Sequence, residues 1–119
     1  MRQPDDASLF VDILIAARDA QEMAVGVTYN DLLEDRKLQL ALVKLIEIMG
    51  EAASRLSNDA RGSVPGIAWR KVTGMRNRLV HDYGNIDYQV VLAVVHDDLP
   101  GLIAAIEPLV PPDEPDELA

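Results

Sequence analysis

The segment from Arg76 to Tyr83 combines side chains whose types suit chemistry at a phosphate group. Histidine can move protons near neutral pH because its unperturbed pKa is about 6.5. Arginine suits a phosphate because its planar guanidinium donates to two oxygens at once. His81 can therefore act as a proton donor or acceptor, while Arg76 can stabilise the negative charge that develops on the oxygens of a phosphorane. Asn77, which follows Arg76, either orients His81 or caps a turn.

Other common catalytic patterns are missing from the sequence. It has no serine-nucleophile elbow, P-loop, Rossmann glycine pattern, His-Glu-x-x-His motif or calcium loop. The absence of cysteine excludes disulfides and thiolate metal sites and is compatible with a reducing cytosol. The two histidines, His81 and His96, are too few for a His-rich metal site within one chain. We therefore expect neither a metal nor a cofactor.

The charges are distributed unevenly along the chain. A formal net charge of -9 argues against binding of bulk nucleic acid, because phosphate contacts are made by Lys and Arg. The stretch from Ala60 to His81 nevertheless holds no acidic residue and five basic ones, which are Arg61, Arg70, Lys71, Arg76 and Arg78. This pattern predicts a local cationic site for a specific phosphate-bearing ligand. Charge alone leaves open that these side chains are simply solvated.

Helical periodicity surrounds the basic stretch and indicates how it is positioned. The apolar residues, 49% of the chain, are mostly Leu, Ile, Val and Ala, a mixture typical of helix packing. Three- and four-residue steps predict helices over about 7–24, just after Thr28, over 35–56, from Ile67 to His81 or Tyr83, and from Tyr88 onward. We expect Asp6 or Ser8 to cap the first helix, Gly84 to follow the fourth, and Pro100 to divide the last at about Asp98.

These helices predict an all-α antiparallel bundle of four to five helices over residues 1–110. Residues 111–119 are acidic and proline-rich and predict a disordered tail. The N-terminus lacks the basic start and apolar run of a signal peptide, and no apolar stretch approaches the roughly 18 residues of a membrane span. The sequence therefore predicts a cytoplasmic protein without membrane contact.

The helix over 35–56 is apolar on more than one face, with Leu40, Val43 and Ile48 lying off its main stripe. Such a helix is normally covered on two sides, either by bundle neighbours or by a second subunit. The small residues Gly50 and Ala53 predict a close backbone approach. Gly74, inside the next long helix, predicts close packing or a bend.

The segment Arg76-Asn77-Arg78-Leu79-Val80-His81-Asp82-Tyr83 matches the pattern Arg-polar-x3-His-x-Tyr. This pattern resembles the signature of the HEPN superfamily in its HepT-like branch. Further segments also resemble that branch, in order and including positions without chemistry. They are 33–36, 48–57, 69–75, 83–87 and 98–100, so the resemblance extends from about residue 12 to 106.

The resemblance implies a homodimeric toxin endoribonuclease with Arg76 and His81 as catalytic residues. Metal-independent RNA cleavage needs a base for the 2′-hydroxyl, an acid for the 5′-oxygen and a cation, and it leaves a 2′,3′-cyclic phosphate. In HepT-like proteins the matching tyrosine is adenylylated by a minimal nucleotidyltransferase antitoxin (MntA-like), which implies the same modification of Tyr83 and a hetero-oligomer with that partner. A packing role is the alternative for Tyr83.

Helix geometry restricts how these residues can meet. On a regular helix, Arg76 and His81 are about 140° apart, so they converge only if the helix ends or bends, or if two subunits form a composite cleft. Asn77 and His81 would share one face, and Tyr83 would lie within about 20° of Arg76.

Some roles and functions remain open. Arg78 and Asp82 have the spacing of an ion pair within a helix, and Glu51 either pairs with an arginine of the basic stretch or is exposed. A non-catalytic helical subunit that binds a nucleotide or a nucleotidyltransferase would use Arg76 and His81 only to contact phosphate. A purely structural dimerisation module is the third alternative.

Overall fold

The computed structural model describes residues 5–80 and 84–112. Its α-helices are α1 (Asp6–Met23), α2 (Tyr29–Leu33), α3 (Arg36–Arg55), α4 (Asn58–Gly62), α5 (Trp69–Thr73), α6 (Met75–Leu79), α7 (Tyr88–Ala93) and α8 (Leu99–Ile106). A π-helical segment, Val94–Asp98, joins α7 to α8, and a 3-10 turn, Glu107–Leu109, follows. These residues contain no strand, only an isolated bridge between Val80 and Ile86. The predicted all-α fold is confirmed.

The two long helices α1 and α3 form the centre of the bundle, and their contact is the most extensive between any two described elements. They are antiparallel, because Asp6 at the start of α1 accepts hydrogen bonds from Ser57, just beyond the end of α3. Helix α8 and the π-helical segment also pack against α1, and α5 and α6 pack against α3. The largest fully buried side chains are Ile13, Leu32, Leu42, Ile46, Met49, Leu79, Val91, Val94, Val95, Leu99 and Ile106.

Side chains cap most of the helices at their N-termini. Thr28 and Asp31 form a reciprocal capping box at α2, and Asp87 caps α7, both at the predicted starts. The cap of α1 is Asp5, whose carboxylate accepts from the Ser8 backbone, so the prediction of Asp6 or Ser8 as the cap is wrong by one or more positions. Helices α5 and α6 have no side-chain cap.

The helix expected from Ile67 to His81 or Tyr83 is shorter and broken at Gly74. A Cβ at Gly74 would lie 3.0 Å from the Arg70 carbonyl oxygen, so glycine permits the tight turn between α5 and α6. Helix α6 ends at Leu79, and Val80 is extended. Gly84 has the expected left-handed backbone, with φ +81°, but it lies in the connection to Ile86 rather than directly after the helix.

The predicted loop from Ser57 to Gly66 contains the short helix α4, which Ser57 caps. Trp69 connects this region to the bundle, because its indole Nε1 donates to the Arg61 carbonyl at 2.9 Å and its ring lies 6.3 Å from that of Phe10. The close approach expected at Gly50 is also present. A Cβ there would lie 3.3 Å from the Val72 carbonyl oxygen, so the backbone of α5 rests directly on α3.

The C-terminal helical run is divided where Pro100 predicts it. Pro100 has no N–H to donate to the preceding turn, and the wider π-helical turn ends at Asp98, just before α8. The whole run, Tyr88–Leu109, is long and apolar enough to cross a membrane by length and composition alone, which the sequence analysis overlooked. Its buried residues, from Val91 to Ile106, belong to the core of the bundle.

Candidate active site around Arg76

Helix α6 presents its basic residues on the surface by burying its two ends. Met75 and Leu79, four residues apart, lie in the core, while the side chains between them point outward. The side chain of Arg76 is 50% exposed. Burial of one stripe of this short helix therefore places the predicted catalytic arginine at the surface.

Arg76 is held by an acidic residue of the neighbouring long helix. Its Nε donates to Oε1 of Glu47 at 3.0 Å, across the contact between α6 and α3. Glu47 was not among the residues predicted from the sequence, where Glu51 was the acidic residue of interest. Glu51 pairs instead with Arg55, one turn away, at 2.8 Å. Two glutamates one turn apart in an apolar helix were a signal, but their spacing does not show which one faces α6.

A polar groove of about 340 Å³ lies beside this ion pair. Its lining residues come from α3 and from the α5–α6 turn, and they are Glu47, Gly50, Glu51, Ser54, Thr73, Arg76 and Asn77. The structure thus brings Arg76 and Asn77 together at one open groove. The groove offers a cation, hydroxyls and an amide to a ligand from solvent, together with two carboxylates, each of which is paired with an arginine.

Arg78 faces away from this groove. Its Nη1 donates to Oδ2 of Asp98 at 3.0 Å, which ties α6 to the end of the π-helical segment. The prediction of an ion pair between Arg78 and Asp82 within one helix is therefore wrong, because α6 ends at Leu79. Among the described residues, two ion pairs hold α6, one on each side.

The predicted residues His81 and Tyr83 lie outside the described residues, as does Asp82. The end of α6 at Leu79 removes the angular objection to a meeting of Arg76 and His81, since the helix that carries Arg76 ends before His81. It also removes the argument that Asn77 and His81 share a helix face, and that Tyr83 lies over Arg76.

The residues that flank this connection are fixed to each other. Val80 and Ile86 form an antiparallel bridge, and the Asp87 backbone N–H donates to the Leu79 carbonyl at 2.7 Å. The chain therefore leaves α6 and returns beside the end of the same helix. In the described ranges, no three His, Asp or Glu residues are grouped as a metal site would require.

Comparisons with known proteins agree with the motif. The model of the ribonuclease HepT-like family matches residues 13–109. A Methanocaldococcus jannaschii protein named "Putative RNase MJ1380" is 32% identical over 107 residues, which cover 90% of this chain and 98% of that protein. A Thermococcus cleftensis protein named "Probable ribonuclease HepT" is 35% identical over 98 residues, which cover 82% of this chain and 89% of that protein. No solved structure gives a significant match.

The chain is an all-helical protein of the HEPN type. It belongs to the ribonuclease HepT-like family, whose model matches the chain from within α1 to the 3-10 turn. The prediction of a ribonuclease is therefore confirmed at the level of the family.

Proposed function

We propose that this protein is a metal-independent toxin endoribonuclease in which Arg76 and His81 carry the reaction. The observation that carries the proposal is Arg76 on the rim of an open polar groove, held through its Nε. The terminal guanidinium nitrogens, which make no hydrogen bond to any part of the chain that the structure describes, remain available to a phosphate. The family match supports RNA as the substrate.

In the proposed reaction the ribose 2′-oxygen attacks the adjacent phosphorus, and the bond from phosphorus to the 5′-oxygen breaks. A base takes the 2′-hydroxyl proton, an acid protonates the departing 5′-oxygen, and Arg76 stabilises the charged phosphorane. The products are a 2′,3′-cyclic phosphate and a 5′-hydroxyl. A homodimer would bring two copies of His81 to one composite cleft, which provides one imidazole for each proton transfer.

An apolar surface beside the groove supports the dimer. On α3, Leu40 is 54% exposed and Val43 is half-buried, and both share a helix face with Glu47 at seven- and four-residue spacing. An exposed leucine on the same helix face as the groove fits contact with a second subunit. Two copies joined along this face would place their Arg76 side chains close to one cleft.

Regulation is proposed from the family resemblance alone. A minimal nucleotidyltransferase antitoxin (MntA-like) would transfer AMP from ATP to the Tyr83 hydroxyl and release pyrophosphate, adding negative charge and bulk two residues from His81. The modified cleft would repel RNA phosphate. We also propose that toxin and antitoxin form a hetero-oligomer in the cytoplasm.

The experiment compares wild type with Arg76→Ala and His81→Ala on a fluorescently labelled mixed-sequence oligoribonucleotide in the presence of EDTA. Loss of one transition-state donor or one acid–base group costs about 10²–10³-fold in rate, so both variants should lose cleavage by that factor. Arg61→Ala is the matched control, since Arg61 belongs to the same basic stretch but bonds to Asn58. Mass spectrometry of the products should show 2′,3′-cyclic phosphate ends.

Intact RNA with the wild-type protein, at every protein concentration and with no toxicity on expression without a partner, would overturn the enzyme proposal. Retained binding of ATP or of a nucleotidyltransferase in that case would favour the non-catalytic subunit. Cleavage that requires a divalent cation would overturn the metal-independent mechanism while leaving a ribonuclease.

A further inference from the structure

The ion pair with Glu47 uses only one edge of the Arg76 guanidinium and leaves the other end for a ligand. Glu47 occupies the Nε edge, at 3.0 Å from its Oε1. The opposite end of the guanidinium carries the two terminal nitrogens, whose paired N–H groups match the spacing of phosphate oxygens. The carboxylate therefore fixes the direction of the side chain without using the end that a phosphate would bind.

Glu47 itself is anchored on a rigid element. Its neighbour Ile46 is fully buried, as is Met49, so the backbone of α3 is fixed in the core at this point. One turn further on, Gly50 brings the backbone of α3 against that of α5. Glu47 is thus a fixed reference point from which the long, otherwise flexible side chain of Arg76 is directed.

The carboxylate also has an electrostatic cost. Its charge lies beside the groove where a phosphate would bind, and like charges at that distance repel. A residue that only improved substrate binding would not be acidic here. An acidic residue is favourable if its benefit is to hold the cation in the orientation that the transition state needs.

We propose that Glu47 is a positioning residue of the ribonuclease reaction, acting through Arg76. The proposal rests on the function proposed above for Arg76. It predicts that loss of Glu47 slows the chemical step while binding of RNA is unchanged or tighter. A misdirected catalytic group costs about 10–10²-fold in rate, which is the loss of kcat expected for Glu47→Ala.

The experiment measures kcat and KM for Glu47→Ala and Glu47→Gln in the full chain on the labelled oligoribonucleotide used above. Glu47→Gln should lose less activity than Glu47→Ala, because the glutamine oxygen can still accept from Nε–H. KM should stay the same or fall in both variants. The pH dependence of kcat should keep its midpoints, because Glu47 does not exchange a proton with RNA.

Asp98→Asn is the matched control. It breaks the other ion pair of α6, which has the same 3.0 Å length and faces the opposite side. If Glu47 only stabilised the helix, both variants would lower the melting temperature and the activity alike. We expect similar melting temperatures but a loss of kcat only when Glu47 is replaced.

A double variant separates this proposal from the one on which it rests. Arg76→Ala with Glu47→Ala should be no slower than Arg76→Ala alone, because Glu47 acts through the arginine. An unchanged kcat in Glu47→Ala, beside an inactive Arg76→Ala, would overturn the role of Glu47 and leave the proposed function standing. Loss of the acidic limb of the pH profile in Glu47→Gln would also overturn it, since Glu47 would then be a base. Full activity of Arg76→Ala would instead overturn the proposed function.

Discussion

The bundle and the segment that carries the site are built in different ways. Helices α1 and α3 are 18 and 20 residues long and begin at the side-chain caps Asp5 and Asp35. Helices α5 and α6 have five residues each and no side-chain cap. Isolated helices of that length are unstable in water. The bundle is specified by local sequence signals, whereas the site segment exists because the bundle holds it.

This difference explains where Arg76 obtains its fixed position. Met75 and Leu79 insert into the core, and the ion pairs of Arg76 and Arg78 fasten α6 to two other elements. Surface ion pairs contribute little stability, typically below about 1 kcal/mol. The buried side chains of Met75 and Leu79 are therefore the main anchor of α6. The predictions below test that division of roles in order of expected effect.

The largest effect is expected from removing the anchor of α6. Leu79→Ala leaves a cavity in a fully buried position and should cost about 2–5 kcal/mol of unfolding free energy, measured by urea denaturation. The matched control is Leu33→Ala, at a position 46% exposed, which should cost about 1 kcal/mol or less. Equal losses would mean that α6 is not anchored by its buried face.

A smaller loss of unfolding free energy is expected at Gly26 and Gly84, the two described glycines with left-handed backbones. Gly84→Ala and Gly26→Ala replace residues at φ +81° and +71°, each with open space around the missing Cβ. Both should cost about 1–2 kcal/mol from backbone strain. Only Gly84→Ala should also reduce RNA cleavage, because Gly84 lies in the connection that carries His81. Equal activity of the two variants would contradict that link.

The side-chain caps of the long helices should contribute less to the unfolding free energy than the buried side chains do. Asp35→Ala removes the carboxylate that accepts from the Leu38 backbone at the start of α3, with an expected loss of about 1 kcal/mol. Asp35→Asn should restore most of it, because asparagine is an equally good cap. A loss in Asp35→Asn as large as in Asp35→Ala would show that charge, rather than capping, matters there.

The smallest effect is expected from acid. Hydrogen bonds from the backbone and hydroxyl of Ser57 lower the pKa of Asp6 below its ordinary value of 3.8. The folded state therefore favours the charged form of the Asp6 carboxylate. The resulting contribution to the unfolding free energy is present above about pH 4 and is lost as pH falls through the lowered pKa. The difference in urea midpoint between wild type and Asp6→Asn should shrink between pH 6 and pH 2.5. A constant difference would contradict the linkage.

Much of the fold could be predicted from the sequence because its signals are local. The apolar period located α1 and α3 to within one residue or two, and the turn residues at Thr28 and Asp87 marked two further starts. The break between α5 and α6 could not be predicted with the same ease. A glycine inside a helical pattern allows either a bend or close packing, and the contact of Gly74 with the preceding turn decides between them.

The surroundings of the candidate site could be predicted only in part, because they depend on contacts between distant residues. The motif identified Arg76 and Asn77, which the structure places at one groove. Glu47 lies 29 residues earlier, and no local spacing connects it to Arg76. The pairing of Arg78 with Asp98 is also a contact between distant residues. Such pairs depend on how the helices pack, and no spacing within the sequence predicts which residues meet across a helix contact.

The contact at Gly50 limits how the groove beside Arg76 can diverge. Since no side-chain atoms separate α3 from the Val72 carbonyl there, mutation has no intervening residue to enlarge or trim. The distance between α3, which carries Glu47, and the backbone of α5, which precedes Arg76, is therefore set by direct contact. New substrate preferences would therefore evolve by substitution of Ser54, Thr73 and Asn77, which line the groove, while the backbone contact at Gly50 stays the same.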